Sequence, residues 1–422
     1  RLCPGQAIVI AAYPHTHCAT ALLLRASIRR RLISMTHAVY ITATGAFLPH
    51  APVGNDEMER LLGQVGEKPS RARRTILRSN GIVGRHYAID PDTLQCTHSN
   101  AQLAAEAVRA LDADHGKIDS LACGTSIADQ LMPGHASMVQ GELALPACDV
   151  LSAGGVCVAG MTALKYAANA VRTGDACYAV ATGSELSSAS MKAGNFSAEI
   201  DSRVDALEKQ PELAFEKDFL RWMLSDGAGA VLLENTPRDA GISLRIDWID
   251  ILSYAGEIET CMYAGATKNA DGTLRGWQHS DAETRDSESV MAVKQDVKLL
   301  NEQVIRYTVE EPLQAIIRKR NLAAESIHYF LPHYSSLFFR DKVYAGLQRA
   351  GLDIPMTRWF TNLASKGNTG SASIYIMLDE LFRSGVLQPG ETLLCYIPES
   401  GRFSTAFMHL TVMPPREKCH GT

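Results

Sequence analysis

The sequence predicts an α/β protein built from two related βαβ halves, and three observations carry that prediction. Two stretches repeat the order strand, helix, polar loop, helix, strand at similar spacing. Each repeat ends its strands in a glycine-flanked polar turn, the usual place for a ligand site in α/β sheets. The composition, 46% hydrophobic with 21% charged residues over 422 positions, is that of a chain able to bury a large core.

The first repeat opens with Ser120-Leu-Ala-Cys-Gly-Thr-Ser126, a strand running into a polar turn. The run Asp149-Val-Leu-Ser-Ala-Gly-Gly-Val-Cys157 follows, then the apparent start of a helix, then the strand from Ala176 to Gly183. In the second repeat a strand pattern from Ile327 to Leu331 meets Pro332-His-Tyr-Ser-Ser336. The turn Lys366-Gly-Asn-Thr-Gly-Ser-Ala-Ser373, a helical pattern from Ile374 and the strand Thr392–Gly401 complete it.

Cys157 is the candidate nucleophile. Glycines let the chain turn sharply and approach a substrate, and a thiol at a helix N-terminus feels a field that favours thiolate. A small buried cysteine at a tight strand–helix junction fits the same segment taken alone. His333 at a strand end and Asn368 in a turn could each aim an N–H donor at one oxygen, as an enolate or thioester oxyanion requires. Each alone also reads as structural, a solvated histidine and an ordinary Asn-Thr-Gly turn.

Beyond these motifs, the chain resembles the β-ketoacyl-ACP synthase III group of thiolase-fold condensing enzymes, from about Ala38 to about Val412. Gly81-Ile-Val-Gly-Arg-His-Tyr87 and Leu224-Ser-Asp-Gly-Ala-Gly-Ala-Val-Leu-Leu233 add to the three functional loops. The resemblance implies a five-layered α-β-α-β-α fold, with halves at 35–235 and 236–422. It implies that Cys157 takes the acyl group while His333 and Asn368 support decarboxylation or enolate formation. Gly401 would supply a backbone oxyanion donor. Glu142 would be a possible base, since some relatives that condense without decarboxylation use a glutamate; an ordinary surface glutamate is the competing reading.

Local runs, among them His135-Ala-Ser-Met-Val-Gln-Gly-Glu142 and Phe219-Leu-Arg-Trp-Met-Leu-Ser-Asp-Gly227, resemble ketosynthases that form cyclohexanediones on the way to dialkylresorcinols. That resemblance implies joining a β-ketoacyl to an α,β-unsaturated acyl thioester. A starter synthase acting with malonyl-ACP and an acyltransferase to an alcohol or amine are the alternatives. A non-catalytic partner in a synthase complex is a third. Tyr334-Ser335-Ser336 after the histidine, and Glu399-Ser-Gly401 where the family carries three glycines, depart from the housekeeping starter enzymes.

Partners implied are acyl carrier protein or coenzyme A thioesters and a second copy of the chain. The cluster Lys68–Arg74 with Arg78 and Arg85 is a candidate carrier-docking patch. A segment from Ser197 to Trp222 could form a lid or wall over the acyl pocket, or a solvated insertion. A net charge of −5 is too mild for nucleic acid. Ten cysteines without metal-ligand spacing suggest reduced thiols, so neither metal nor cofactor is expected. The glycines of Gly227-Ala-Gly229 suggest close packing. No apolar run reaches 18 residues, and a cytoplasmic enzyme is expected. Residues 1–34 hold five arginines and no acid, and read as an extension outside the fold or a transit peptide.

Overall fold

The structure, a computed structural model, describes residues 36–65, 73–196 and 220–417. The 1–34 extension, residues 68–72 of the basic cluster and residues 197–219 of the insertion lie outside the described residues. Ala38–Thr422 clusters as one compact unit.

Nine strands make one sheet: β1 (Tyr40–Phe47), β2 (Ser120–Thr125), β3 (Asp149–Gly154), β4 (Tyr178–Glu185), β5 (Gly227–Glu234), β6 (Ser243–Ser253), β7 (Tyr329–Pro332), β8 (Thr392–Glu399) and β9 (Ser404–Met413). Their order across the sheet is β7-β8-β9-β6-β1-β5-β4-β2-β3. One pairing pattern occurs twice. β1 lies antiparallel to β5, β5 antiparallel to β4, and β4 parallel to β2, which is parallel to β3. In the second set β6 is antiparallel to β9, β9 antiparallel to β8, and β8 parallel to β7. Where a fifth strand would lie beside β7, a parallel bridge joins Phe330 to Trp359. The two sets meet through a short antiparallel contact of Tyr40 with Arg245 and Ile41 with Leu244.

Period-2 alternation in the strands builds the layers, because successive side chains point to opposite faces. In β2 and β4, Ala122, Ala179 and Ala181 join a central core while Leu121, Cys123 and Val180 join an outer one. The outer core includes helices α1 (Asn100–Arg109) and α2 (His135–Leu143). The central core includes α3 (Val158–Thr173) and, later in the chain, α6 (Ser373–Arg383). In β8 and β9, Leu393, Cys395, Ala406 and Met408 face the same central helices. Leu394, Tyr396 and Phe407 instead pack with α4 (Glu311–Arg320) and α5 (Arg340–Ala350). The five layers expected from the family resemblance are therefore present.

Small residues let the central helices sit close to the strands. A Cβ on Gly229 would lie 2.3 Å from the Tyr375 Cβ, so this glycine does serve close packing. A Cβ on Gly183 would lie 2.3 Å from the Ser371 carbonyl oxygen, at the loop that carries Asn368. Both α3 and α6 thus begin beside the ends of β4 and β8. Among the described residues no helix is long and apolar enough to cross a membrane.

Candidate active site

Cys157 follows β3, which ends at Gly154, across Gly155 and Val156 and stands at the N-cap of α3. Gly155 has φ +151°, a conformation that favours glycine, and so the chain reverses into the helix without steric cost. Buried apolar side chains on α3, among them Met161, Leu164 and Val171, anchor that helix in the central core. The thiol end of the element is half-buried at a cavity wall.

His333 immediately follows β7. Its backbone N–H donates to the Tyr396 carbonyl at 2.8 Å, extending the ladder between β7 and β8 past the last paired residue. The side chain is buried, and burial lowers its pKa to about 4, which leaves the imidazole neutral near pH 7. Asn368 is held from both sides: its N–H donates to the Met223 carbonyl at 2.9 Å and its carbonyl accepts from Ser225 N–H at 2.9 Å. Its Oδ1 accepts from Gly370 N–H at 2.9 Å, so the amide NH2 is the donor end. Gly367 and Gly370, with φ of +71° and +52°, shape the turn on either side.

Cys157, His333 and Asn368 all line one cavity of about 470 Å³, within the range usual for small-molecule sites. The loops that lead into α3 and α6 contribute Cys157 and Asn368. The rest of the wall is largely apolar, with Met191, Leu220, Met223, Met262, Leu300 and Phe339 among its members. Tyr334 and Ser335, which depart from the housekeeping run, also line it.

Two carboxylates not singled out as site residues from the sequence share this cavity. Glu185 ends β4, and its Oε1 accepts from Ser126 N–H at 3.1 Å, Ser126 Oγ at 2.7 Å and Ser371 N–H at 3.0 Å. Glu399 ends β8, and its Oε2 accepts from Val156 N–H at 3.3 Å. Burial raises the pKa of both carboxyls, against the hydrogen bonds they accept. The available signal for Glu185 was an acid closing the otherwise uncharged run Tyr178–Ser184; for Glu399 it was the loss of a family glycine.

The charge state expected for Cys157 needs correction. Burial first, then the neighbouring Glu185 and Glu399 carboxylates, push the thiol pKa well above its ordinary value. Backbone donation at the helix start opposes this and is outweighed. Together these favour the thiol form of Cys157 over the thiolate.

Gly401 lines the cavity, and a Cβ there would lie 3.1 Å from Val156 Cγ2, which places its backbone beside the cysteine loop. Glu142 is not brought to the site: it is an exposed residue of the outer helix α2, absent from the cavity wall. The outer layer, facing away from the central core, carries it elsewhere. Arg85 leaves the proposed docking patch as well, since it is fully buried and donates to Asn55 Oδ1 at 2.8 Å and to the Trp222 carbonyl at 3.2 Å. Arg74 and Arg78 are exposed.

Comparison with known proteins agrees with this architecture. Residues 75–238 match the family model "Beta-ketoacyl synthase, N-terminal domain", and residues 317–397 match "3-Oxoacyl-[acyl-carrier-protein (ACP)] synthase III C terminal". A β-ketoacyl-[acyl-carrier-protein] synthase III of Xanthomonas oryzae pv. oryzae is 27% identical over 364 residues, covering 85% of this chain and 95% of the relative. The fold is shared with the 3-oxoacyl-(acyl carrier protein) synthase III of Pseudomonas aeruginosa PAO1, with a TM-score of 0.65 at 20% identity, covering 89% of this chain and 98% of that one. It is shared too with Xanthomonas campestris OleA, solved with lauric acid and lauroyl-CoA, with a TM-score of 0.65 at 19% identity, covering 89% and 99%.

Fold and matches together define an acyltransferase of the condensing-enzyme class. Within that class the chain is similar to the β-ketoacyl synthase III enzymes, with which it shares the thiolase fold.

Proposed function

We propose that the protein forms carbon–carbon bonds by Claisen-type condensation through an acyl-Cys157 intermediate, with His333 and Asn368 as donors to the enolate oxygen. The observation that carries this reading is the meeting of these three side chains in one largely apolar cavity. Cys157 attacks the acyl thioester and forms a new thioester, in which sulfur is again a good leaving group. The neutral imidazole and the Asn368 NH2 are fixed donors for charge developing on the second substrate's carbonyl oxygen. The backbone at Cys157 and Gly401 is assigned to the tetrahedral oxyanion. Residues 35–235 and 236–422 act as two related halves, each contributing loops to the site.

The substrates assigned are a β-ketoacyl and an α,β-unsaturated acyl thioester, joined to a cyclohexanedione, the precursor of a dialkylresorcinol. Support comes from the local runs that resemble those ketosynthases and from Glu399 in place of a glycine. The acyl groups arrive on acyl carrier protein or coenzyme A, and the enzyme works as a homodimer in the cytoplasm. A second reading, starter synthesis with malonyl-ACP, is favoured by the name of the Xanthomonas oryzae relative.

Product analysis after mixing a β-ketoacyl thioester with a 2-enoyl thioester tests the assignment. The proposal expects a cyclic 1,3-dione whose carbon–carbon bonds form without decarboxylation. The β-ketoacyl thioester carbon remains on the ring and leaves as carbon dioxide only after its thioester is hydrolysed. Formation of a linear β-ketoacyl product from acetyl and malonyl thioesters alone would overturn it in favour of the starter reading.

A further inference from the structure

We propose that Glu399 is the general base of this site, taking a Cα proton from a donor thioester that carries no carboxyl group to lose. The assignment rests on the condensing reading above and deepens it.

A condensation that proceeds by decarboxylation generates its enolate by losing carbon dioxide. A condensation between a β-ketoacyl and an enoyl thioester has no such route, so a proton acceptor must stand beside the reacting carbons. His333 is neutral but is assigned as a donor to the oxygen, and Glu142 lies on the outer helix, away from the cavity. Within one chain, the carboxylates at the reacting atoms are those of the cavity wall. Two carboxylates stand there. Glu185 spends its Oε1 on three donors, Ser126 N–H, Ser126 Oγ–H and Ser371 N–H, as a brace between loops. Glu399 is different in its surroundings.

It closes β8, the strand that begins the Glu399–Gly401 turn, and its side chain reaches the loop that carries Cys157. Val156 N–H, one residue before the cysteine, holds Oε2 at 3.3 Å. Glycines leave space on both sides: a Cβ on Gly155 would lie 3.5 Å from Oε2, and one on Gly401 would lie 3.1 Å from Oε1. The carboxylate is also close enough to Cys157 to disfavour its thiolate. An acyl group carried on that sulfur therefore sits beside a fixed carboxylate. Burial raises the Glu399 pKa, which strengthens it as a base.

The donor Cα–H bond breaks, its proton passes to a Glu399 carboxylate oxygen, and the electron pair becomes an enolate on the thioester oxygen, held by His333 and Asn368. The enolate carbon adds to the β-carbon of the unsaturated acyl group on Cys157. The α-carbon of that group then takes the proton back from Glu399, and the carboxylate is restored.

The test compares the full-length parent with E399Q and E399D, using acetoacetyl-CoA and malonyl-CoA as alternative donors to enzyme preloaded with crotonyl-CoA. Intact-protein mass spectrometry reads acylation of Cys157, and product analysis reads condensation. The expected result is an acylated E399Q whose ratio of acetoacetyl to malonyl condensation falls by about 100-fold or more, with E399D falling less. Equal losses with both donors, or acetoacetyl condensation by E399Q within about threefold of the parent, overturn the assignment to Glu399. A parent that takes no acyl group on Cys157 overturns the condensing reading, and this assignment with it.

Discussion

Glu185 and Ser371 are joined by a hydrogen bond of 3.0 Å that ties the end of β4 to the loop just after Asn368. The same oxygen of Glu185 also accepts from the amide and hydroxyl of Ser126. One buried carboxylate thus fixes two loops from different parts of the chain around the cavity.

Glu185→Ala removes the acceptor for all three donors, and buried donors left unpaired are costly. The variant should lose about 2–4 kcal/mol of stability. Glu185→Gln keeps an oxygen acceptor and should stay within about 1 kcal/mol of the parent. Urea denaturation midpoints check both, and equal midpoints for the two variants would refute the brace.

The raised pKa of Cys157 predicts slow alkylation near neutral pH. Iodoacetamide labelling of Cys157, followed by peptide mapping, should accelerate only above the ordinary thiol range of about 8.5. Removing either carboxylate lowers the cost of the thiolate, so E185Q and E399Q should each move this rise to lower pH. A rate already maximal at pH 7 in the parent would contradict the account.

His333 binds fewer protons folded than unfolded, because burial lowers its pKa to about 4 from 6.5. Stability from this group is fully present above pH 6.5 and is lost as pH falls towards 4. His135, lowered to about 4 by its own burial, adds to the same slope. Denaturation across this window should therefore show stability rising with pH, with a shallower slope in H333N. Condensation by H333N should fall by about two to three powers of ten.

Asn368→Asp keeps an acceptor for the Gly370 N–H yet removes the NH2 donor. It should fold like the parent, by circular dichroism, and lose about 100- to 1,000-fold in condensation rate. Near-parent activity would place the donor elsewhere.

Gly183→Ala forces a methyl to within 2.3 Å of the Ser371 carbonyl. Backbone must move to admit it, and overpacking of this kind typically costs about 1–3 kcal/mol. The shift falls on the Asn368 loop, so activity should fall more than stability, as parallel melting and turnover measurements would reveal.

Much of this was legible in the residues. Alternating small and apolar positions in Ser120–Thr125 and Thr392–Glu399 read as strands, and the glycine-flanked turns around Cys157 and Asn368 located the site loops. Electrostatics were not legible. The charge on Cys157 depends on Glu185 and Glu399, which are near it only after β4 and β8 come together from either side of the central helices. Of the two readings of Glu142, the surface glutamate is the one the outer helix α2 produces, exposed and away from the cavity wall. Arg85 looked like part of a basic surface because its burial follows from packing against Trp222, far along the chain.

The most direct test is intact-protein mass spectrometry after incubation with acetyl, longer saturated and α,β-unsaturated thioesters, on both coenzyme A and carrier protein. Peptide mapping and a Cys157→Ala control locate any adduct. The account predicts a stable acyl adduct on Cys157 with an unsaturated donor, absent in C157A and discharged as product when a β-ketoacyl thioester is added. A folded parent that acquires no adduct from any donor, or one that keeps its adduct in C157A, would contradict it.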